Sequence, residues 1–187
     1  MIAIGSDHAG FPLKEEIRKY LEENKVDYVD VGCYSPERFD YAISAQKACD
    51  KVVSGECDKA ILCCGTGIGI SMAANKVKGI RACACSDYFS AKYTRLHNDA
   101  NVLCMGDRVI GAGLAIEMVD VFLNTEFEGG RHQTRVDQIM AIEKAKSFIN
   151  KKTPKKQPSE FFLYILFIYS VYQQDYVVRQ KCRNYKL

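Results

Sequence analysis

The residues with the clearest chemical potential lie in the stretch ILCCGTGIGIS, residues 61–71. An apolar run ends at Cys64, and glycines follow at Gly65, Gly67 and Gly69. Glycines let backbone N–H groups converge, and a helix that begins here adds partial positive charge at its amino terminus. A thiol at such a terminus ionises readily and can act as a base or a nucleophile. The spacing therefore predicts an anion or oxyanion cradle beside a reactive thiol.

The glycine spacing alone leaves other interpretations open. A P-loop needs Lys and then Ser or Thr after its last glycine, and this loop continues with Ile70 and Ser71. A dinucleotide fingerprint would need glycine at position 70, although Asp87 stands about twenty residues further on, where such sites place an acidic residue. A dinucleotide site and a tight turn that binds nothing therefore both remain as alternatives.

The two adjacent cysteines are expected to have different roles. Side chains alternate between the two faces of a strand, so Cys63 and Cys64 should point in opposite directions. Only one of the two can then face the cradle, and we expect this to be Cys64, while Cys63 packs within the sheet.

Two of the three histidines follow predicted elements and have polar neighbours. His8 follows Asp7, and His97 precedes Asn98. Histidine moves protons near neutral pH, which sugar chemistry requires. Both histidines are therefore candidates for catalysis, against the alternative of ordinary surface residues.

A third group of charged residues occupies positions 128–135, EGGRHQTR. Arg131 and Arg135 are four residues apart, so they share one face of a helix. Two guanidinium groups beside His132 suit a phosphate monoester, although a solubilising turn would look the same.

The elements that must position these groups alternate along the chain. Apolar runs predict buried strands at 2–5, 26–31, 60–64, 80–85 and 102–105. Amphipathic patterns predict helices at 11–24, 41–54, 69–76, 88–97, 111–124 and 136–149. This alternation predicts an α/β protein, a three-layer Rossmann-like fold with a five-stranded parallel sheet and a C-terminal helix. Ligands bind at the carboxyl ends of the strands in such sheets, so we expect the polar groups that follow the strands, and also His97 after the fourth helix, at one rim.

Composition limits the class of protein. The chain of 187 residues has nine cysteines, an odd number, and several lie in apolar runs. Residues 1–5 enter a strand directly, so we predict no signal peptide, a reducing cytosol and free thiols. No CxxC pair occurs, so no metal site is expected.

The charge distribution separates two regions. Residues 1–150 carry 18 Lys and Arg against 21 Asp and Glu, whereas residues 151–187 carry 8 against 2. We predict one domain over 1–150 and a basic, aromatic C-terminal extension over 151–187. The apolar run at 161–172 is too short for a membrane span, which needs about 20 residues. We expect a solvated tail, no membrane span and no nucleic-acid partner.

The ordered set of motifs resembles type B ribose-5-phosphate isomerase, in the ribose/galactose isomerase family. The resemblance covers residues 1–149 and rests on SDHAGF at 6–11, DY at 40–41, CGTGIGIS at 64–71, ANK at 74–76, GIRA at 79–82, HNDAN at 97–101 and EGGRH at 128–132. Each motif is weak alone, but their order along the chain is very specific. The domain over 1–150 would then be a sugar-phosphate isomerase domain.

The resemblance implies a reaction and a set of roles. D-ribose 5-phosphate and D-ribulose 5-phosphate would interconvert through an enediolate, without a metal or an organic cofactor. Cys64 would be the base, Thr66 would help to move protons between the sugar oxygens, and His97 would open the furanose ring. The remaining residues would bind substrate: Asp7 and Asn98 near the hydroxyls, the backbone from Gly65 through Gly67 and Gly69 to Ser71 at the enediolate, Tyr41 at the edge, and His8, Arg108, Arg131 and Arg135 at the phosphate.

The resemblance also implies a cytoplasmic homodimer, or a tetramer, with the active site at the dimer interface. The family usually has Pro after its Asp-Tyr pair, where this chain has Ala42. An isomerase for galactose 6-phosphate or allose 6-phosphate remains as an alternative, and so does a non-enzymatic module that binds an anion or a nucleotide.

Overall fold

The computed structural model describes the backbone of residues 1–151 and the side chains of residues 1–144. Over these residues the strands are β1 (Ile2–Ser6), β2 (Tyr28–Asp30), β3 (Lys59–Cys64), β4 (Ala82–Ala84) and β5 (Val102–Gly106). The helices are α1 (Phe11–Glu23), α2 (Tyr41–Val53), α3 (Ile68–Ala74), α4 (Tyr88–Asn98), α5 (Ala112–Asn124) and α6 (Arg131–Lys151). Residues Met1–Ala145 form one compact unit. The predicted extension over 151–187, with its apolar run, lies outside the described residues.

The five strands pair in parallel in the order β2-β1-β3-β5-β4. The predicted α/β fold with a five-stranded parallel sheet is confirmed. From β1 the chain continues to β2 on one side of the sheet, and from β3 it continues to β4 and β5 on the other side. The strand order therefore reverses between β1 and β3. The carboxyl ends of these two strands are neighbours, because Ser6 pairs with Cys63. This is the crevice where open α/β sheets bind ligands.

Apolar side chains from the strands form two cores, one on each face of the sheet. Ile4 and Ile61 pack on one face with residues of α1 and α5, including Leu13 and Phe122. On the other face, residues of β3 and β5 pack against α2 and α3. The three central strands, β1, β3 and β5, are buried on both faces, and this explains why their sequences read as continuous apolar runs.

Some element boundaries differ from those predicted. β4 begins at Ala82, two residues after the predicted start, where Asn side chains bind the backbone: Asn101 Oδ1 accepts from Arg81 N–H and Asn75 Oδ1 accepts from Ala82 N–H. α6 begins at Arg131, five residues before the predicted start at 136. Gly129 and Gly130, both with positive φ, turn the chain just before it. The first turn of α6 is polar, so hydrophobic periodicity could not reveal it.

One buried ion pair ties α1 to the end of β2. Lys14 is 1% exposed, and its ammonium group contacts Asp30 Oδ2, with Glu15 Oε1 at 3.3 Å. Removing one partner of a buried pair leaves an uncompensated charge. Because Glu15 still provides a partner for Lys14, we expect Asp30→Asn to lower the free energy of unfolding by about 1–3 kcal/mol in urea denaturation. Glu16→Gln, which breaks the exposed pair with Lys19, is the matched control and should leave the midpoint unchanged. Equal effects of both variants would contradict this prediction.

Candidate active site

Cys64 lies at the carboxyl end of β3, beside the point where strand order reverses. Its side chain is 4% exposed, and Gly67 N–H donates a hydrogen bond to Sγ at 3.1 Å. Gly67 is the residue before α3 and has a φ of 77°, a backbone conformation that favours glycine. The loop that follows β3 therefore aims a backbone donor at the sulfur of Cys64.

Cys63 lies on the opposite face, as predicted. It belongs to the core on the α1 side, whereas Cys64 belongs to the core on the α3 side. Cys63 is fully buried, and this burial raises its pKa well above the ordinary value for a thiol. Cys63 is therefore a packing residue that stays protonated.

The loop after Cys64 uses some of its polar groups internally. Thr66 is exposed, and its Oγ1 accepts from Ile68 N–H at 3.3 Å. Ser71 Oγ donates to Ile68 O at 2.8 Å, and Ser71 N–H donates to Gly67 O. The hydroxyl of Thr66 thus remains accessible to a substrate, whereas Ser71 bonds within α3.

The turn that follows β1 lies beside Cys64 at this edge of the sheet. Asp7 is 6% exposed, and its Oδ1 accepts from Gly10 N–H at 2.8 Å. A Cβ at Gly10 would stand 2.4 Å from the carbonyl carbon of Cys63, so the turn after β1 packs directly on β3. His8 Nδ1 lies 3.1 Å from Phe39 O on the exposed side of the same turn.

Arg108 and Tyr41 approach the glycine loop itself. A Cβ at Gly65 would stand 3.6 Å from Arg108 Nη1, and a Cβ at Gly69 would stand 3.1 Å from the ring of Tyr41. The structure thus brings together Asp7, His8, Tyr41, Cys64, Thr66 and Arg108, which we call the carboxyl-edge cluster.

A second cluster joins the end of α4 to the start of α6. The rings of His97 and His132 stack at 4.0 Å between centroids and 5° between planes. Glu128 Oε2 lies 3.5 Å from His97 Nε2 and 3.7 Å from His132 Nε2. Arg131 Nε donates to His132 Nε2 at 3.2 Å, and Arg135 Nη1 lies 3.5 Å from His132 Nδ1. We call these five residues the amino-edge cluster.

The two clusters lie at opposite ends of the strands, so the expectation that His97 shares a rim with Cys64 is wrong for a single chain. α4 runs back from the carboxyl ends to the amino ends, and Val102, the first residue of β5, follows His97 closely. Val102 pairs with Ala60 at the start of β3, whereas Cys64 pairs with Gly106 at its end. A strand of five residues spans about 15 Å. The error arose because a residue that follows a helix, unlike one that follows a strand, lies at the amino edge.

Asn98 shares this placement. It is the last residue of α4, and its carbonyl accepts from Arg81 Nε at 3.2 Å, just before β4 begins. It therefore lies with His97 and away from Asp7.

The amino-edge cluster includes three groups with metal-ligand chemistry. Ligand atoms of His97, Glu128 and His132 lie within 4.8 Å of one another. However, Arg131 donates a hydrogen bond to His132 Nε2, an atom that would have to bind the cation. The positively charged guanidinium groups of Arg131 and Arg135 both lie beside this ring. This arrangement suits an anion better than a metal ion.

Comparisons with known proteins agree with the fold. The family model described as Ribose/Galactose Isomerase matches residues 2–139. A protein named putative sugar phosphate isomerase YwlF, from Bacillus subtilis, is 52% identical, covering 76% of this chain and 96% of that protein. Ribose-5-phosphate isomerase B of Escherichia coli is 51% identical, covering 78% and 98%. The structure of ribose-5-phosphate isomerase B from Clostridium thermocellum is 50% identical, with a TM-score of 0.76 and coverage of 78% and 98%.

No helix within the described part of the chain has the length and apolar character that crossing a membrane requires.

Proposed function

Because the chain belongs to the ribose/galactose isomerase family, we propose that it interconverts D-ribose 5-phosphate and D-ribulose 5-phosphate, with Cys64 as the base. The observation that carries the role of Cys64 is the hydrogen bond from Gly67 N–H to its Sγ, at the point where strand order reverses. Two relatives with about half of their aligned residues identical to this chain are named ribose-5-phosphate isomerase B, and this supports the reaction. The reaction would belong to the non-oxidative branch of the pentose phosphate pathway in the cytosol.

The chemistry begins at C2 of the open-chain aldose. The Cys64 thiolate takes the proton from C2, the electron pair forms a C1–C2 double bond, and the aldehyde oxygen becomes an enediolate oxygen. The thiol then returns its proton to C1, while a proton moves from the oxygen on C2 to that on C1. The accessible hydroxyl of Thr66 is suited to assist this second transfer. Backbone donors near Gly65 and Gly69 would stabilise the negative charge, as an oxyanion hole does.

A second copy of the chain would supply the other half of the site. A five-carbon sugar phosphate is much shorter than a five-residue strand, because its backbone has far fewer bonds. It therefore cannot contact both clusters of one chain. In a homodimer with the active site at the interface, His97 and Asn98 of one copy would face Cys64 of the other. The same arrangement would bring Arg131 and Arg135 towards His8 and Arg108 to hold the phosphate.

Ring opening would be the task of His97. Neutral His97 takes the proton of the C1 hydroxyl, the C1–O4 bond breaks as the aldehyde forms, and the imidazolium returns the proton to O4. Glu128 stands where it can stabilise the transient imidazolium, with its carboxylate 3.5 Å from Nε2.

An isomerase assay tests the proposed function. The matching family is described as Ribose/Galactose Isomerase. The rate with ribose 5-phosphate should therefore be compared with the rates with allose 6-phosphate and galactose 6-phosphate. We expect kcat/KM to be highest for ribose 5-phosphate, by about tenfold or more, because an extra carbon lengthens the distance between phosphate and C1. A higher kcat/KM for a hexose phosphate would assign the alternative substrate. Binding without turnover of any of the three would favour an anion-binding module.

A further inference from the structure

His97 is held between two aromatic contacts. The ring of Tyr93, one turn earlier on α4, makes a T-shaped contact with it, at 4.9 Å between centroids and 70° between planes. His132, on α6, covers a face of the same ring and is itself 3% exposed. A ring held between two elements keeps few orientations. The plane of the His97 imidazole is therefore fixed before any sugar binds.

The surroundings of His132 keep it neutral. Burial lowers the pKa of His132 below its ordinary value, and the neighbouring His97 and Arg131 lower it further. Arg131 donates to Nε2, which must accept, and Arg135 stands beside the other ring nitrogen. Glu128 lies farther from His132 Nε2, at 3.7 Å, than from His97 Nε2, at 3.5 Å.

A neutral neighbour matters for ring opening. During this step His97 carries a positive charge, and two stacked imidazolium rings 4.0 Å apart would repel each other. A neutral ring provides the same contact without this repulsion. The groups that face the pair are then one carboxylate, Glu128, and two guanidinium groups, Arg131 and Arg135, with the phenol of Tyr93 on the α4 side.

We propose that His132 is a positioning residue for ring opening: its ring, stacked on His97 at 4.0 Å and 5°, fixes the plane of the His97 imidazole. This inference rests on the proposed role of His97 and extends it to a residue that need not touch the sugar. Glu128 acts with it, because its carboxylate lies at the Nε2 atoms of both rings.

The two directions of the reaction separate ring opening from proton transfer. Ribose 5-phosphate is mainly a furanose and must open, whereas ribulose 5-phosphate has its C5 oxygen blocked by phosphate and stays open. We expect His132→Ala to lower kcat with ribose 5-phosphate by about tenfold or more, and with ribulose 5-phosphate by less than about threefold. His132→Phe keeps a flat neutral ring and should restore most of the ribose rate.

Each outcome decides the matter. An equal loss in both directions, or a ribose rate unchanged in His132→Ala, would overturn the positioning role. Failure of His132→Phe to restore the ribose rate would overturn the ring-stacking explanation. If His132→Ala does not fold, His132→Gln replaces it, because its amide oxygen can still accept from Arg131 while the stacked ring is removed, and the same selective loss with ribose 5-phosphate is expected. Absence of turnover of ribulose 5-phosphate by the unaltered protein would instead refute the proposed function.

Discussion

Cys64→Ala should lower kcat by roughly 1,000-fold in both directions, because it removes the group that takes the proton from carbon. The phosphate contacts remain, so the Kd for ribose 5-phosphate should change by less than about threefold. The measurements are the rate of ketose formation and a titration calorimetry experiment on the same preparation. Retention of most of the activity would show that another group is the base.

Cys63→Ala is the matched control, since it removes the adjacent thiol from the opposite face of the same strand. Its side chain is fully buried, so truncation should lower the free energy of unfolding by about 1 kcal/mol. Its kcat should stay close to that of the unaltered protein. A large loss of kcat in this variant as well would indicate that any cavity in β3 disturbs the loop, and the effect of Cys64→Ala could then not be assigned to chemistry.

The carboxyl-edge cluster could be predicted from sequence because local rules fix its placement. Residues that follow parallel strands lie at the same edge, and alternation along β3 separates Cys63 from Cys64. The same rule placed Asp7 and Arg108 at this edge, since Asp7 follows β1 directly and Arg108 comes two residues after the end of β5.

The amino-edge cluster could not be predicted in the same way. His97 lies on a helix that runs back across the sheet, and the start of α6 at Arg131 has no apolar periodicity. The stacking of His97 on His132 depends on how α4 meets α6, which no local pattern encodes. The contribution of Tyr93 was missed, although its position four residues before His97 is a signal that helical spacing could have revealed.

Mixing two inactive variants should restore activity if the clusters of two copies form one site. One variant carries Cys64→Ala, and the other carries both His97→Ala and Arg131→Ala. A site that takes Cys64 from one copy and His97 from the other is intact once in each mixed dimer. After unfolding and refolding together in equal amounts, half of the dimers are mixed and each has one working site. We therefore expect about a quarter of the unaltered rate, against very low rates for each variant alone.

The outcome follows from the placement of the two clusters, not from dimer formation alone. If Cys64 and His97 of the same copy acted together, every site in a mixed dimer would lack one of them, and mixing would restore nothing. A mixture of Cys64→Ala with Cys63→Ala controls for losses during refolding, because about half of its sites retain Cys64 whether or not the copies exchange, and about half of the unaltered rate is expected. Since about 15 Å of strand separates the two edges within one chain, restoration to about a quarter is the result that a shared site requires. A mixture as inactive as its components would refute the shared site.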